Sequence, residues 1–453
     1  MERIELKGKR VAVIGLGIRT GVSLVRYLCS SGALVTAYDQ KKRAELQDSL
    51  NAVEGLRFDL DIGCPNPSQL VSRELVLLSP GVSAHSPYLQ DARRKGIPIL
   101  SEVEFAYRLL KSPLIAVTGT NGKSTTTALI AHILKVWGKN VFAGGNLGTP
   151  LIQAVDKEYD FVVAEISSFH LEAVESFHPS IAVLLNIFPN HLDRHGDMET
   201  YVQCKSRIFS NFQGEDRAVL NEDDPTCKKI LSSIRSKAWT FSLNPWSDAQ
   251  VRLQGRKVIL STGESLTITG FSLLGRHNLE NALAACAVSH ALGCPPQIIE
   301  QGITTFKALP HRLQHVARID HVDFINDSKS TTPESTAVAL KALDTPIILL
   351  AGGRSKGASY KGLGDVANKC VRTTILFGEA AMEMAKDFKG SRHETVETLA
   401  DGFLRATQIA EQGDTILLSP ANSSFDQFEN FEKRGEAFAK LVHEHKTNRG
   451  VKP

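Results

Sequence analysis

The chain has 453 residues, 42% of them hydrophobic and 22% charged, with a formal net charge of +3. That balance is ordinary for a soluble globular protein, and the charge is too mild for a nucleic-acid binder, which needs a clustered basic face. The 7 cysteines are scattered and form no C-x-x-C pair, which argues against a disulfide framework or a structural zinc and for reduced thiols. At roughly 150 residues per domain, the length predicts about three domains.

The chain opens on "MERIELKGKR", which has no signal-type apolar core, and no later run reaches the ~20 apolar residues of a membrane span. A soluble, cytoplasmic protein without membrane or nucleic-acid partners is expected. "RVAVIGLG" (10–17) reads as strand and turn, "GVSLVRYLCSSG" (21–32) as helix, and "ALVTAYD" (33–39) and "LVLLSPG" (75–81) as strands. This βαβ rhythm predicts a parallel sheet flanked by helices. The helix-like "SEVEFAYRLL" (101–110) bridges to a second unit, which starts at "PLIAVTGT" (113–120). Its further strands are read at 140–145, 160–167 and 180–187. Segment 216–270 reads as short strands in a small side sheet, and "NLENALAACAVSHALG" (278–293) as a closing helix. A third unit follows "KALPHRLQ", with strands at 322–327, 346–353, 373–378 and 415–420, and a polar tail "EHKTNRGVKP" that reads as frayed.

Two glycine-rich turns carry chemistry. "GTNGKSTTT" (119–127) follows an apolar strand and precedes a helix. Backbone N–H groups and a helix N-terminus would cradle phosphate there, with Lys123 as the point charge and Ser124 as a Mg²⁺ ligand. An ordinary turn that happens to contain Gly-Lys-Ser is the bland alternative. Glu165 ends the strand "DFVVAEIS", where it is either a helix cap or a metal ligand. "NIFPNHLDRHG" adds His191, Asp193 and His195, and "GGNLG" adds Asn146. The first turn, "GLGIRTG" (15–21), with Asp39 at the next strand end, is close to a dinucleotide fingerprint but has one residue too many between its last two glycines. Two phosphate-type sites in two units predict a machine with two nucleotide-bearing substrates. A nicotinamide-linked oxidoreductase and a non-catalytic ATP-driven switch are the competing classes.

Taken together, the motifs resemble the Mur ligase family of ATP-dependent amide-forming enzymes along the whole chain. "VTGTNGKSTTT" is similar to that family's shortened phosphate loop, and "EISSFHLE" and "NHLDRHGDMETYVQCK" to its metal-binding segments. "GRHNLENALAA" resembles its adenine-side helix and "LPHRLQ" its interdomain arginine segment. "NDSKSTTPEST" and "SPANSSFDQFENFEKRG" resemble most the D-glutamate-adding members.

The resemblance implies an α/β fold of three domains: a Rossmann-like UDP-substrate domain (1–101), a central P-loop ATPase-like domain with a parallel sheet (102–309) and a Rossmann-like amino-acid domain (310–453). It implies a monomer acting on ATP, UDP-N-acetylmuramoyl-L-alanine and D-glutamate in peptidoglycan precursor synthesis, and so in cell wall biogenesis, cell shape and division. Two Mg²⁺ ions are implied, with Ser124, Glu165, His191 and a carbamylated Lys205 as ligands, and Lys123, His191 and Lys205 as the catalytic set. ATP contacts map to Gly119, Thr120, Asn121, Gly122, Lys123, Ser124, Thr125, Asn278, Asn281, Arg312 and Asp327. For Asn278 a helix-cap reading competes. The UDP substrate maps to Ile18, Thr20, Asp39, Gly81, Asn146, Ser167 and His170. D-glutamate maps to Lys329, Thr331, Lys356, Ser424, Phe425 and Phe431. Arg354 stands where the pattern often has an acid, and the glycine loop is one residue longer around Arg19.

Overall fold

The computed structural model describes residues 5–449 apart from 235, 236, 272, 274, 344, 356 and 391; the side chains of 193 and 448 also lie outside the description. Two compact units emerge, one of residues 1–271 and 280–306, the other of 272–279 and 307–453. Among the described residues the first unit carries two sheets and the second carries one.

The first sheet is built from β1 (Arg10–Ile14), β2 (Leu34–Asp39), β3 (Asp59–Ile62), β4 (Leu75–Leu78) and β5 (Ile99–Ser101). Its order is β3-β2-β1-β4-β5 and every pairing is parallel. The order reverses beside β1, and ligands of such sheets sit at that switch point, beyond the strand carboxyl ends.

The second sheet centres on β6 (Leu114–Thr118), whose five residues are all buried because helices cover both faces. It continues through β7 (Val141–Gly145), β8 (Phe161–Glu165), β9 (Ile181–Leu184), β10 (Arg217–Asn221), β11 (Lys237–Ser242), β12 (Val251–Gln254), β13 (Lys257–Leu260) and β14 (Ser265–Thr267). The order is β14-β13-β12-β11-β10-β9-β6-β8-β7. The expectation of a separate side sheet for 216–270 is therefore corrected. β10 pairs in parallel with β9, Arg217 opposite Ile181, so the segment extends the central sheet. Among the described residues of this sheet, only β12–β13 and β13–β14 pair antiparallel. The short hydrophobic runs that read as a small sheet are edge strands of a large one.

The third sheet holds β15 (Gln314–Ile319), β16 (Val322–Asn326), β17 (Ile347–Gly352), β18 (Val371–Phe377), β19 (His393–Val396) and β20 (Thr415–Ala421), in the order β15-β16-β20-β17-β18-β19. β15 is antiparallel to β16, and the rest pair in parallel. The last helix, Phe431–Asn448, starts at Asn430, whose side chain accepts the Lys433 N–H at 2.7 Å. It takes up the first half of the tail that read as frayed, through Asn448.

The bridging helix forms at Glu102–Leu109, capped by Ser101. Its acids point into protein. Glu102 accepts the Ile152 N–H at 2.7 Å, and burial pushes its carboxyl up to about 7. Glu104 binds Arg108 at 2.7 Å and the backbone N–H groups of Glu175 and Ser176. One apolar core runs from Val11 and Leu77 through Phe105 to Leu114 and Val162. The helix therefore fixes the first sheet on the second as a single packed body.

Candidate active site

The loop between β6 and the helix Lys123–Val136 has the expected strand–turn–helix setting. Gly119 (φ 152°) and Gly122 (φ 84°) take backbone angles that L side chains rarely adopt. A Cβ on Gly122 would lie 2.2 Å from Asn281 Oδ1. Thr126 Oγ1 donates to the same Asn281 oxygen at 3.2 Å, so Asn281 packs directly behind the loop. Asn278 lies inside the first turn of the helix Arg276–Ala291 rather than capping it, and is buried.

The loop is held from its other side by Asn186, at the end of the β9 segment. Asn186 Oδ1 accepts the Asn121 N–H at 2.9 Å, and its Nδ2 donates to the Asn121 carbonyl at 3.2 Å. Thr120 Oγ1 accepts the Phe188 N–H at 3.0 Å and sits 3.1 Å from the Tyr201 hydroxyl. Asn186 and Tyr201 escaped the sequence reading. Asn186 sits at the carboxyl end of a buried strand, and that position was its available signal.

Lys123 Nζ donates to the Gly119 and Thr120 carbonyls at 3.0 and 2.8 Å. Lys205 Nζ donates to the Gly119 carbonyl at 2.9 Å and lies 4.8 Å from the Tyr201 ring centre. Two lysines thus share one carbonyl. Lys205 is 1% exposed, and burial, with Lys123 beside it, pulls its amine well below the ordinary lysine value. A solvated surface lysine, the default for a helical lysine, is excluded.

Ser124 Oγ donates to Glu165 Oε2 at 2.6 Å, and Asn146 Nδ2 donates to Oε1 at 2.9 Å. Serine oxygen, carboxylate and amide thus converge at the start of the phosphate-loop helix. Hard oxygen donors of this kind, few enough to leave room for water and phosphate oxygens, fit Mg²⁺. Glu165 is not a helix cap: Ser167 caps the helix Ser168–Leu171, accepting the His170 N–H at 3.3 Å. His170 is 2% exposed, and burial pushes its imidazole down to about 4.

His191 is exposed, takes a left-handed backbone (φ 54°), and sets its ring 4.8 Å from Phe169. His195 turns the other way. It is buried, with Nε2 3.0 Å from Ser168 Oγ and its ring 5.2 Å from Tyr201. It is a packing histidine. Between them Arg194 binds Glu172 at 2.7 Å, stacks 3.9 Å over Phe169 and donates to the Pro80 and Val82 carbonyls. It ties the histidine segment to the loop after β4, a role nothing in the local sequence signalled. The Asp193 side chain lies outside the described residues.

At the switch point of the first sheet, Ile18, Thr20, Asp39 and Gly81 line one cavity of about 870 Å³, together with Arg19 and Lys41. Both Asp39 oxygens accept backbone N–H groups, from Leu16 at 2.8 Å and Lys41 at 2.9 Å. The carboxylate shapes the loop as well as lining the cavity.

In the second unit, Asp327 is buried and its carboxyl is raised to about 6 by burial. It accepts the Leu313 N–H at 3.1 Å and the Ser419 hydroxyl at 2.8 Å. The charge of Arg312 opposes that rise. Lys329 Nζ lies 5.3 Å from the Phe431 ring centre. Ser424 is buried, Phe425 is 59% exposed, and Thr331 is half-buried. Lys356 lies outside the described residues. Arg354 forms a two-pronged pair with Glu379, both bonds 2.8 Å, and so has its acid within reach.

Comparison with known proteins assigns this arrangement. Residues 9–101 match the model of the Mur ligase MurD-like N-terminal domain, 117–289 the Mur ligase middle domain, and 311–422 the Mur ligase glutamate ligase domain. The UDP-N-acetylmuramoylalanine–D-glutamate ligase of Caldanaerobacter subterraneus subsp. tengcongensis is 42% identical over 97% of this chain and 99% of its own. The enzyme of the same name from Thermoanaerobacter pseudethanolicus is 40% identical, with the same coverage. Among solved structures, the UDP-N-acetylmuramate-alanine ligase of Thermotoga maritima superposes with a TM-score of 0.62 at 18% identity, over 97% of this chain and 100% of that one. The MurF ligase of Thermotoga maritima, in complex with ADP, gives 0.62 at 15% identity, over 98% of this chain and 100% of that one. The structural likenesses speak for the three-domain α/β fold, and the sequence matches go further: the chain belongs to the Mur ligase family, as a ligase of its MurD type.

Proposed function

We propose that this ligase joins D-glutamate to UDP-N-acetylmuramoyl-L-alanine at the expense of ATP, in the cytoplasmic assembly of peptidoglycan precursors that cell shape and division depend on. The observation that carries the reading is the phosphate loop whose Ser124 meets Glu165 beside two converging lysines. A switch needs no second nucleotide-sized cavity, and a nicotinamide enzyme needs no Lys123.

A carboxylate is a poor electrophile. Transfer of the γ-phosphoryl group breaks its bond to ADP and makes one to the substrate carboxylate, which gives the carbonyl a leaving group. The D-glutamate nitrogen then attacks, loses a proton, and inorganic phosphate departs. Lys123 supplies positive charge to the β- and γ-phosphates as negative charge moves. Gly119, Thr120, Asn121, Gly122 and Thr125 cradle the phosphates, and Asn278, Asn281, Arg312 and Asp327 serve the rest of the nucleotide. Two Mg²⁺ ions would be held by Ser124, Glu165, His191 and Lys205, and they add charge neutralisation at the transferring phosphoryl group. Lys205 fits that set as a carbamate: burial favours its uncharged amine, the form that adds CO₂.

The crevice of Ile18, Thr20, Asp39 and Gly81 takes the UDP end, with Asn146, Ser167 and His170 toward the reacting end. Lys329, Thr331, Lys356, Ser424, Phe425 and Phe431 take D-glutamate, whose carboxylates call for cations and hydroxyl donors. The working domains run over 1–101, 102–309 and 310–453, one sheet to each, in a monomer.

The test is ADP release with UDP-N-acetylmuramoyl-L-alanine, Mg²⁺ and a panel of D- and L-amino acids. Release that requires D-glutamate, with the UDP-dipeptide seen by mass, supports the reading. Release with another amino acid moves the chain to a sister step. No release with any acceptor overturns it.

A further inference from the structure

Among the described residues Arg434 is the largest fully buried side chain. It lies on the final helix, three residues after Phe431. Its Nε donates to Ser328 Oγ at 3.0 Å, and its Nη2 donates to the Ser328 carbonyl at 2.9 Å and the Asn422 carbonyl at 3.1 Å. Ser328 Oγ in turn donates to the Phe431 carbonyl at 2.8 Å. Its Nη1 faces Gly353, where an added Cβ would lie 3.1 Å from it and 2.1 Å from the Ser423 carbonyl. The 353–354 backbone runs against 423, with the Arg354 N–H on the Ser423 carbonyl at 2.9 Å and the Ser423 hydroxyl on the Arg354 carbonyl at 2.8 Å.

One guanidinium therefore sits under the segments that carry the candidate amino-acid pocket: Ser328 beside Lys329, Asn422 beside Ser424, Gly353 ahead of Lys356, and its own helix with Phe431. Among the described residues the hydrogen-bond acceptors of this cation are neutral, two carbonyls and a hydroxyl, and Asp426 acts on it through its charge at longer range. A buried charge held by neutral acceptors is a poor way to gain stability, because desolvation offsets the attraction. A planar fork with donors fixed at set angles is a good way to hold separate loops in register.

We infer that Arg434 is a positioning residue for the acceptor amino acid, its forked donors tying the Ser328 and Asn422 loops together so that Lys329 and Ser424 are held in register for one dicarboxylate. The inference rests on the assignment of this pocket to D-glutamate. Lysine keeps the charge at 434 but cannot span Ser328 and Asn422 together.

The experiment measures KM for all three substrates in the full-length wild type, Arg434→Lys, Arg434→Met and Ser328→Ala, with melting temperatures alongside. Arg434→Lys and Arg434→Met should each raise KM for D-glutamate by about tenfold to a hundredfold, as loss of hydrogen bonds to a charged donor predicts. KM for ATP and for the UDP substrate should stay within about twofold. Ser328→Ala, which removes only the hydroxyl acceptor, should raise KM for D-glutamate by roughly threefold to tenfold, and it decides the matter if the arginine variants do not fold. A wild-type KM for D-glutamate in Arg434→Lys, or losses spread equally over the three substrates, overturns the positioning role. A wild type that turns over without D-glutamate overturns the functional reading instead.

Discussion

Ser124 Oγ and Glu165 Oε2 meet at 2.6 Å across 41 residues of chain, joining the first residues of the phosphate-loop helix to the end of a neighbouring strand. Parallel strands β6 and β8 make that meeting inevitable. Val117 is opposite Glu165 in the register, so whatever follows β6 passes beside that carboxylate. Ser124→Ala should raise the Mg²⁺ concentration for half-maximal rate by about tenfold to a hundredfold, the range for losing a group that holds or orients a metal ligand. A Mg²⁺ titration of ADP release checks this, and an unmoved midpoint would remove Ser124 from the metal.

Lys123→Ala should lower kcat by about a hundredfold to a thousandfold, the loss that follows removal of one donor to a developing charge. The helix it begins should stay intact, since Gly122 and Asn281 set its start. Near-normal turnover in steady-state kinetics would sink its role.

Lys205→Ala should be inactive and partly restored by short carboxylic acids, which replace the missing carbamate. Stripping CO₂ from the wild type should lower its rate in the same assay. An active variant indifferent to CO₂ would leave Lys205 as a hydrogen-bond donor to Gly119 and nothing more.

His170 makes a pH prediction. Its folded pKa of about 4 lies below the ordinary 6.5, so the unfolded chain takes a proton before the native one does. This contribution to stability is fully present above pH 6.5 and is lost as pH falls toward 4. By pH 5 the loss should reach about 2 kcal/mol. Urea midpoints at pH 7.5 and 5 should diverge less in His170→Gln than in the wild type; an equal divergence would assign the acid sensitivity to other groups.

The phosphate loop, Glu165 and Lys205 were legible because local signals marked them: a glycine pair between strand and helix, a strand-end acid, and family-like spacing. Asn186, Tyr201 and Arg194 were not. Each acts through partners many residues away: Asn186 through Asn121, Tyr201 through Thr120, and Arg194 through Pro80 and Val82. A single sequence does not pair such positions. The same limit hid the extent of the central sheet. β10 to β14 are short and modest alone, and only pairing with β9 shows where they belong. His195 shares the polar motif of His191 but is buried against Ser168 and Tyr201, a difference a single sequence does not show.

The contact between Gly122 and Asn281 changes what the glycine means. Phosphate binding demands an open face in front, and a Cβ at 122 would run into the Asn281 amide oxygen behind, so that a side chain there would push Asn281 aside. Position 122 is thus constrained twice, by the ligand and by the scaffold. Any larger residue at 122 would therefore need both a shifted or smaller residue 281 and a turn without the left-handed φ. The letter G in this motif is accordingly a record of packing as well as of chemistry.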